Sequence, residues 1–174
     1  MKPTTKRPNV LLLLTDMQRA DTIGALGNPH MRTPNLDRLV REGTAFTRCF
    51  TPSPVCVPAR YALHYGRWPQ HTGCTYNGDG DQVKDDGSSY VGHLNRAGYR
   101  THCVGKTHFA PLEGIRDFQT RETQGEIVEH VEGDDYLKFL HAAGYRHVSD
   151  PHGVRSDWYY LPQTAMTISR CGVP

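Results

Sequence analysis

Two short segments that are predicted as strands, each followed at once by polar residues, constrain the fold most strongly. The first is residues 10–14 (VLLLL), a continuous apolar run preceded by proline and asparagine. Such a run is typical of a parallel strand that is covered on both faces. The second is residues 99–104, which follow a helical pattern over residues 90–96 and a glycine stop at Gly98. Strands alternating with helices predict an α/β fold, a mainly parallel sheet flanked by helices.

Reactive side chains follow both predicted strands. Asp16 lies just past the end of the first, and Lys106 and His108 follow the second. In open α/β sheets, ligands bind at the carboxyl ends of the strands. We therefore expect all three side chains to serve a functional site.

Two helices are predicted from their start signals. Thr33 is placed as an N-cap before Pro34, apolar residues follow at helical spacing, and Gly43 ends the pattern, which predicts a helix over residues 34–42. Residues 51–58 contain three prolines and predict an extended loop that turns into a helix near Pro58. Cys56 would then lie at a helix N-terminus.

Residues 73–89 are rich in glycine and aspartate and show no periodicity, which predicts an exposed loop. A calcium-binding loop in the segment DGDQVKDDG is the alternative, but the ligand spacing and terminal glutamate of an EF-hand are missing. We interpret the segment as a solvated loop. Residues 150–174 show no clear period and predict no regular element.

Composition excludes several classes of protein. The chain has 174 residues, 37% of them hydrophobic, which suits one compact domain, and its net charge of +2 gives no reason to expect nucleic acid or an anionic membrane as a partner. Residues 10–14 are too short for a spanning helix or a signal peptide, so the sequence predicts a cytoplasmic protein. Five cysteines without a CxxC pair predict mostly reduced thiols.

The sequence Cys56-Val57-Pro58-Ala59-Arg60 carries the most specific chemistry. A cysteine at a helix N-terminus faces backbone N–H donors, and an arginine one turn later can hold an oxyanion. Cysteine-dependent phosphatases place five residues between these two side chains, whereas here there are three. The alternative is a buried cysteine and a surface arginine with no shared role.

The same five residues resemble the C-x-P-x-R modification motif of type I sulfatases, and residues 61–66 continue that signature. Residues 98–109 are similar to the second signature of the family. Residues 8–16 resemble its first strand and metal-binding aspartate, and residues 33–39 resemble a helix start of the family. The four matches occur in the family's order over residues 8–109. The fold implied is the N-terminal part of an alkaline-phosphatase-like sulfatase domain.

The resemblance implies a mechanism. A formylglycine-generating enzyme would oxidise Cys56 to formylglycine, whose hydrate attacks the sulfur of a small-molecule sulfate ester and then expels sulfate as the aldehyde re-forms. Asp16 and the modified Cys56 would bind a divalent metal, Ca²⁺ first, with Mg²⁺ or Mn²⁺ as alternatives. Arg60 and Lys106 would hold the diol and sulfate oxygens, and His108 would bond the diol or assist its collapse. His64 and His102 are interpreted as structural.

Departures from the family pattern leave two alternatives open. Asp16 is followed by Met17 and Gln18 rather than by a second acid, which resembles phosphonate monoester hydrolases and choline-sulfatase-like enzymes. A phosphonate or phosphate monoester hydrolase is therefore the first alternative.

The second alternative follows from length, since family enzymes run to several hundred residues. We expect residues 1–174 to be an incomplete N-terminal portion of a single sulfatase domain, inactive alone. The alternative is an inactive anion-binding remnant that lacks the distal metal ligands. Asp150 and His152 superficially resemble those ligands but come too early, and we interpret them as loop residues.

Overall fold

The computed structural model describes residues 7–111, 114–125 and 131–148. They fall into two compact units, one ending at Phe50 and the other beginning at Thr51. Five α-helices and two β-strands are described: α1 Pro34–Glu42, α2 Cys56–Tyr65, α3 Pro69–Thr72, α4 Tyr90–Arg96, α5 Asp135–Ala142, β1 His102–Gly105 and β2 Thr120–Thr123. In these residues, no helix has the length and apolarity needed to cross a membrane. The prediction of a single domain stays a prediction.

In the first unit, α1 has the bounds that the sequence predicts, with Pro34 in its first turn. Thr33 precedes the helix, but its side chain does not cap it. The Thr33 hydroxyl instead accepts the Gly24 N–H at 2.8 Å and donates to Asp37 Oδ1 at 2.8 Å. Asp37 also accepts the Ala25 N–H at 2.8 Å, and these bonds hold the pKa of its carboxyl below the usual range. The helix is therefore anchored to the turn before it by one carboxylate.

Residues 10–14 form no strand, and that prediction is wrong for this structure. Their side chains are 54–81% exposed. An apolar run adopts a strand only when a neighbouring strand pairs with its backbone and another layer covers its side chains. The two described strands pair with each other, so the run has no strand partner among the described residues.

In the second unit, α2 supplies the centre of the larger core. The helix ends at Gly66, whose φ of 61° is the left-handed conformation that closes a helix without strain. Its buried face presents Val57, Tyr61 and Tyr65. These pack with Cys74, Val83 and Phe109, and the half-buried Phe118 lies against them. Each buried aromatic or aliphatic side chain contributes about 1.5–3 kcal/mol to folding.

Residues 73–89 are mostly exposed, as the sequence predicts, but they are not a plain loop. They contain a 3₁₀ helix, Asn77–Gln82, and several of their residues are buried. Asp79 organises the turn, because its carboxylate accepts the N–H groups of Thr75 at 2.8 Å and Tyr76 at 3.1 Å. Val83 then reaches the core. A carboxylate that satisfies its own turn lets a polar segment pack inside the protein.

The parallel pair of strands confirms the predicted fold class. β1 and β2 run parallel in register from the His102–Thr120 pair to the Gly105–Thr123 pair. Before β1 lies α4, whose N-cap Ser89 is fully buried and accepts the Gly92 N–H at 2.8 Å. The predicted strand over residues 99–104 is thus present, shifted towards its carboxyl end.

A smaller core forms around α5. Its N-cap Asp134 accepts the Leu137 N–H at 2.7 Å, and Asp135 accepts the Thr123 N–H at 2.8 Å from the end of β2. Leu137 and Leu140 pack with Val148. The predictions for residues 150–174, including Asp150 and His152, lie outside the described residues.

Candidate functional site

Cys56 is the first residue of α2, as the sequence predicts. It is a free, half-buried cysteine. The N–H of the next residue, Val57, donates to Asn77 Oδ1 at 3.0 Å, and the Asn77 side chain comes from 20 residues further along the chain. This bond satisfies one of the N–H groups that a helix start leaves open. It fixes the backbone directly beside Cys56.

Arg60 follows Cys56 by one turn, which places the two residues on the same face about 6 Å apart along the axis. Its guanidinium donates a hydrogen bond to the Lys106 carbonyl oxygen, 46 residues away. Lys106 comes immediately after β1. The structure therefore ties the helix that carries Cys56 to the end of the strand that leads into Lys106.

We call residues 106–110 the post-strand segment. It begins after Gly105, whose φ is 98°, and contains His108 with a φ of 58°. The Phe109 ring packs 5.2 Å from the Tyr61 ring, and the Ala110 N–H donates to the Tyr61 hydroxyl at 3.0 Å. The segment thus runs beside α2, and Cys56, Arg60, Lys106 and His108 all belong to this one unit.

A hydrogen-bond network around Arg116 supports the post-strand segment and was missed by sequence reasoning. The Arg116 guanidinium donates to the carbonyl oxygens of Ala110 at 2.7 Å and Val83 at 2.9 Å. It also donates to the Tyr61 hydroxyl at 3.2 Å and lies 5.3 Å from the centre of the Tyr61 ring. The sequence signal for this network was Tyr61, a large aromatic residue directly after Arg60.

The histidines left as structural differ in environment. His64 is 2% exposed and is surrounded by aromatic rings, including those of Phe109 and Tyr90. Burial lowers the pKa of His64 to about 4, so the ring is neutral near pH 7. His102 is exposed, and its Nδ1 lies 2.8 Å from the Thr120 hydroxyl on the neighbouring strand. Both environments agree with structural roles.

Two other thiols of this unit, the buried Cys74 and the half-buried Cys103, are poor nucleophiles. Burial raises the pKa of Cys74 to about 11, and Asp79 adds to the effect. Burial also raises the pKa of Cys103 on β1, although Arg121 and Arg60 favour its thiolate. A thiol reacts as its thiolate, so neither residue competes with position 56 for chemistry.

Asp16 belongs to the first unit and is exposed. The next residue, Met17, has a φ of 53°, a conformation that costs a non-glycine residue free energy and is often found at functional sites. Asp16 supplies one hard oxygen donor, whereas Ca²⁺ takes six to eight and Mg²⁺ six. The described residues contain no group of three or more acidic, histidine or cysteine side chains that could hold a metal. The described residues alone therefore do not complete a divalent metal site.

Comparison with known proteins finds similarity to sulfatases. The Sulfatase family model matches residues 8–156. The chain is 30% identical to an arylsulfatase of Clostridium perfringens over 152 residues, covering 77% of this chain and 30% of that protein. It is 31% identical to a choline-sulfatase of Rhizobium meliloti over 158 residues, covering 90% of this chain and 28% of that protein.

A solved structure is similar as well. The phosphonate monoester hydrolase of Agrobacterium radiobacter superimposes with a TM-score of 0.69 at 27% identity, covering 84% of this chain and 31% of that one. The chain therefore spans about 30% of the length of these relatives. The family-model match over residues 8–156 includes all five predicted site residues.

Proposed function

The chain belongs to the sulfatase family, and from that premise we propose that it is part of a sulfuric ester hydrolase whose nucleophile is a formylglycine made from Cys56. One observation carries the proposal. Cys56 begins α2 one turn before Arg60, and Arg60 is hydrogen-bonded to the backbone of Lys106 at the end of β1. The helix N-terminus adds partial positive charge at the same place. An anionic ester placed beside residue 56 would meet all of these groups.

Formylglycine would supply a geminal diol: one oxygen would displace the alcohol from the sulfur, and the second hydroxyl, on losing its proton, would expel sulfate as the aldehyde re-forms. A divalent cation would supply positive charge beside the attacking oxygen. We propose Asp16 and the modified Cys56 as two of the metal ligands. A hard carboxylate oxygen suits Ca²⁺, which we place first, and also suits Mg²⁺ or Mn²⁺. A formylglycine-generating enzyme is then a required partner.

Arg60 and Lys106 would bind the ester's non-bridging oxygens. A guanidinium and an ammonium form short, charge-assisted hydrogen bonds with such oxygens, about twice as strong as neutral ones. Lys106 is half-buried, and the Arg60 bond to its carbonyl fixes the backbone from which its side chain extends. Both cations would therefore stabilise the charge that grows on the leaving sulfate.

His108 would hold or accept a proton of the diol. An imidazole exchanges protons near neutral pH, so it can receive the proton that the second hydroxyl loses when sulfate departs. The left-handed backbone at His108 is one that histidine adopts more readily than most residues.

Phosphonate or phosphate monoesters are the second candidate substrates. The observations that favour them are the Asp16-Met17-Gln18 sequence in place of paired acids and the similarity to the phosphonate monoester hydrolase. One negative charge fewer in the metal site would weaken the repulsion between the site and an anionic substrate. Sulfate and phosphonate monoesters carry the same single charge, so they share this machinery.

The test is turnover by the intact protein produced together with a formylglycine-generating enzyme. Nitrophenyl sulfate and a nitrophenyl phosphonate serve as substrates, and Cys56→Ala serves as the control. We expect hydrolysis that Cys56→Ala abolishes and that a chelator removes reversibly. Equal rates for the protein and Cys56→Ala would refute the proposal. An inactive protein that carries the modification on residue 56 would leave a narrower substrate. An unmodified Cys56 after production with the modifying enzyme would favour the anion-binding remnant.

A further inference from the structure

The post-strand segment is held at both of its ends by α2. At its start, the Lys106 carbonyl accepts a hydrogen bond from Arg60. At its end, the Ala110 N–H donates to the Tyr61 hydroxyl at 3.0 Å. Arg60 and Tyr61 are consecutive residues of one helix. His108 lies between the two attachment points.

The Tyr61 hydroxyl occupies a closed environment. The residue is 0% exposed, and its hydroxyl donates to the Gly80 carbonyl at 3.1 Å. The same oxygen accepts from Ala110 and, at 3.2 Å, from Arg116. Arg116 also binds the Ala110 carbonyl at 2.7 Å, so both backbone groups of Ala110 are held. The hydroxyl therefore joins α2, the 3₁₀ helix and the post-strand segment at one point.

His108 needs such support because its backbone is in the left-handed region, with a φ of 58°. A non-glycine residue held in this region is strained and keeps that conformation only when its surroundings enforce it. Loss of one attachment point would let the segment relax towards an ordinary conformation. The His108 ring would then point in a different direction.

We propose that Tyr61 is a positioning residue whose hydroxyl, through Ala110, fixes His108 for its part in the reaction. This inference rests on the proposed function for the role of His108. Tyr61 itself is buried and touches no substrate. Its effect is transmitted through one backbone hydrogen bond.

The chain offers a matched control. Tyr65 lies one turn further along α2, and its hydroxyl contacts Arg116 at 3.4 Å and Asp85 at 3.3 Å. No described contact joins the Tyr65 hydroxyl to residues 106–110. Tyr61→Phe and Tyr65→Phe each remove one hydroxyl from the same core and keep the ring, but only Tyr61→Phe frees Ala110.

The first measurement is hydrogen exchange, amide by amide, in the intact protein and both variants. Tyr61→Phe should speed exchange at Ala110 about tenfold, the loss expected for one hydrogen bond. Tyr65→Phe should leave Ala110 unchanged. This experiment needs no catalytic activity, so it decides whether Tyr61 holds the segment even if the proposed function fails. Unchanged exchange at Ala110 in Tyr61→Phe overturns the proposal.

The second measurement is steady-state turnover of nitrophenyl sulfate, well below the unfolding temperature of each variant. Tyr61→Phe should lower kcat about tenfold with KM within twofold, and Tyr65→Phe should change neither. In a His108→Asn background, which keeps a residue that tolerates the left-handed backbone, Tyr61→Phe should have no further effect. Equal, additive losses with and without His108 would show a purely structural role and overturn the proposal.

Discussion

The two units differ in whether their apolar residues are buried. None of residues 7–50 is buried, and the run over residues 10–14 is exposed. The described residues between 51 and 148 contain two buried clusters, and hydrogen bonds of long sequence separation join their elements. The difference shows that the second unit completes its own core from the described residues, whereas the first unit is ordered by local turns and one carboxylate, Asp37. Four of the five predicted site residues lie in the unit with the core.

The largest expected effect concerns catalysis by the unit with the core. Arg60→Ala removes both the proposed sulfate donor and the bond to the Lys106 carbonyl. We expect kcat/KM for nitrophenyl sulfate to fall about 10²–10³-fold, as for other lost transition-state donors. Arg67→Ala, which removes an exposed ion pair with Asp86, is the control and should stay within twofold. A loss below tenfold for Arg60→Ala would remove Arg60 from the site.

A pair of leucine substitutions tests whether apolar residues stabilise the second unit more than the first. Leu137 is 2% exposed and lies in the smaller core, whereas Leu12 is 54% exposed. Leu137→Ala should lower the free energy of unfolding by about 3 kcal/mol, and Leu12→Ala should change it by less than about 0.5 kcal/mol. Denaturant unfolding of the 174-residue chain measures both. Equal losses would mean that residues 10–14 are buried after all.

Stability should also depend on pH through His64. Its pKa is about 4 in the folded chain against an ordinary 6.5, so the unfolded chain binds the extra proton first. Stability should therefore fall as pH drops from 6.5 to 4, by about 2–3 kcal/mol in total. Asp117 and Asp85 favour the charged ring and Arg116 opposes it, but burial is the largest cause.

The control for this pH dependence is His64→Leu, which keeps an apolar side chain in the aromatic cluster. Its unfolding free energy should vary less between pH 6.5 and 4.5 than that of the parent. An identical slope for both proteins would show that His64 does not carry the effect.

The smallest expected effect is at the start of α2. Asn77→Ala leaves the Val57 N–H without its acceptor and should cost about 1 kcal/mol of unfolding free energy. Asn77→Asp keeps an acceptor and places a negative charge at the helix N-terminus, so it should retain most of the stability. If the two variants lost the same stability, the hydrogen bond to Val57 would not be the reason.

Local signals were enough to predict α1 and the start of α2, because Pro34 and the prolines before Pro58 act within a few residues. The motif residues of the site were named because their segments resemble the signatures of the sulfatase family. Tyr61 and Asn77 were missed, since their bonds join residues 49 and 20 positions apart. The prediction of a strand over residues 10–14 failed for a related reason, because a strand needs a partner that no local pattern specifies.

The prediction for the segment around Asp79 erred in the opposite direction, because several residues predicted to be exposed are buried. The sequence predicted a solvated loop because its aspartates and glycines are typical of exposed turns. The carboxylate of Asp79 instead satisfies the backbone of its own turn, which allows Val83 and Gly80 to be buried. Polar composition predicts exposure only where the polar groups lack partners inside the protein.

The proposed chemistry requires that residue 56 carries an aldehyde in the mature protein. Mass spectrometry of the peptide that spans Cys56, from protein produced together with a formylglycine-generating enzyme, tests it directly. We expect the mass of formylglycine at this position and reaction of the peptide with an aldehyde-specific hydrazide. An unmodified cysteine under these conditions would rule out formylglycine as the nucleophile.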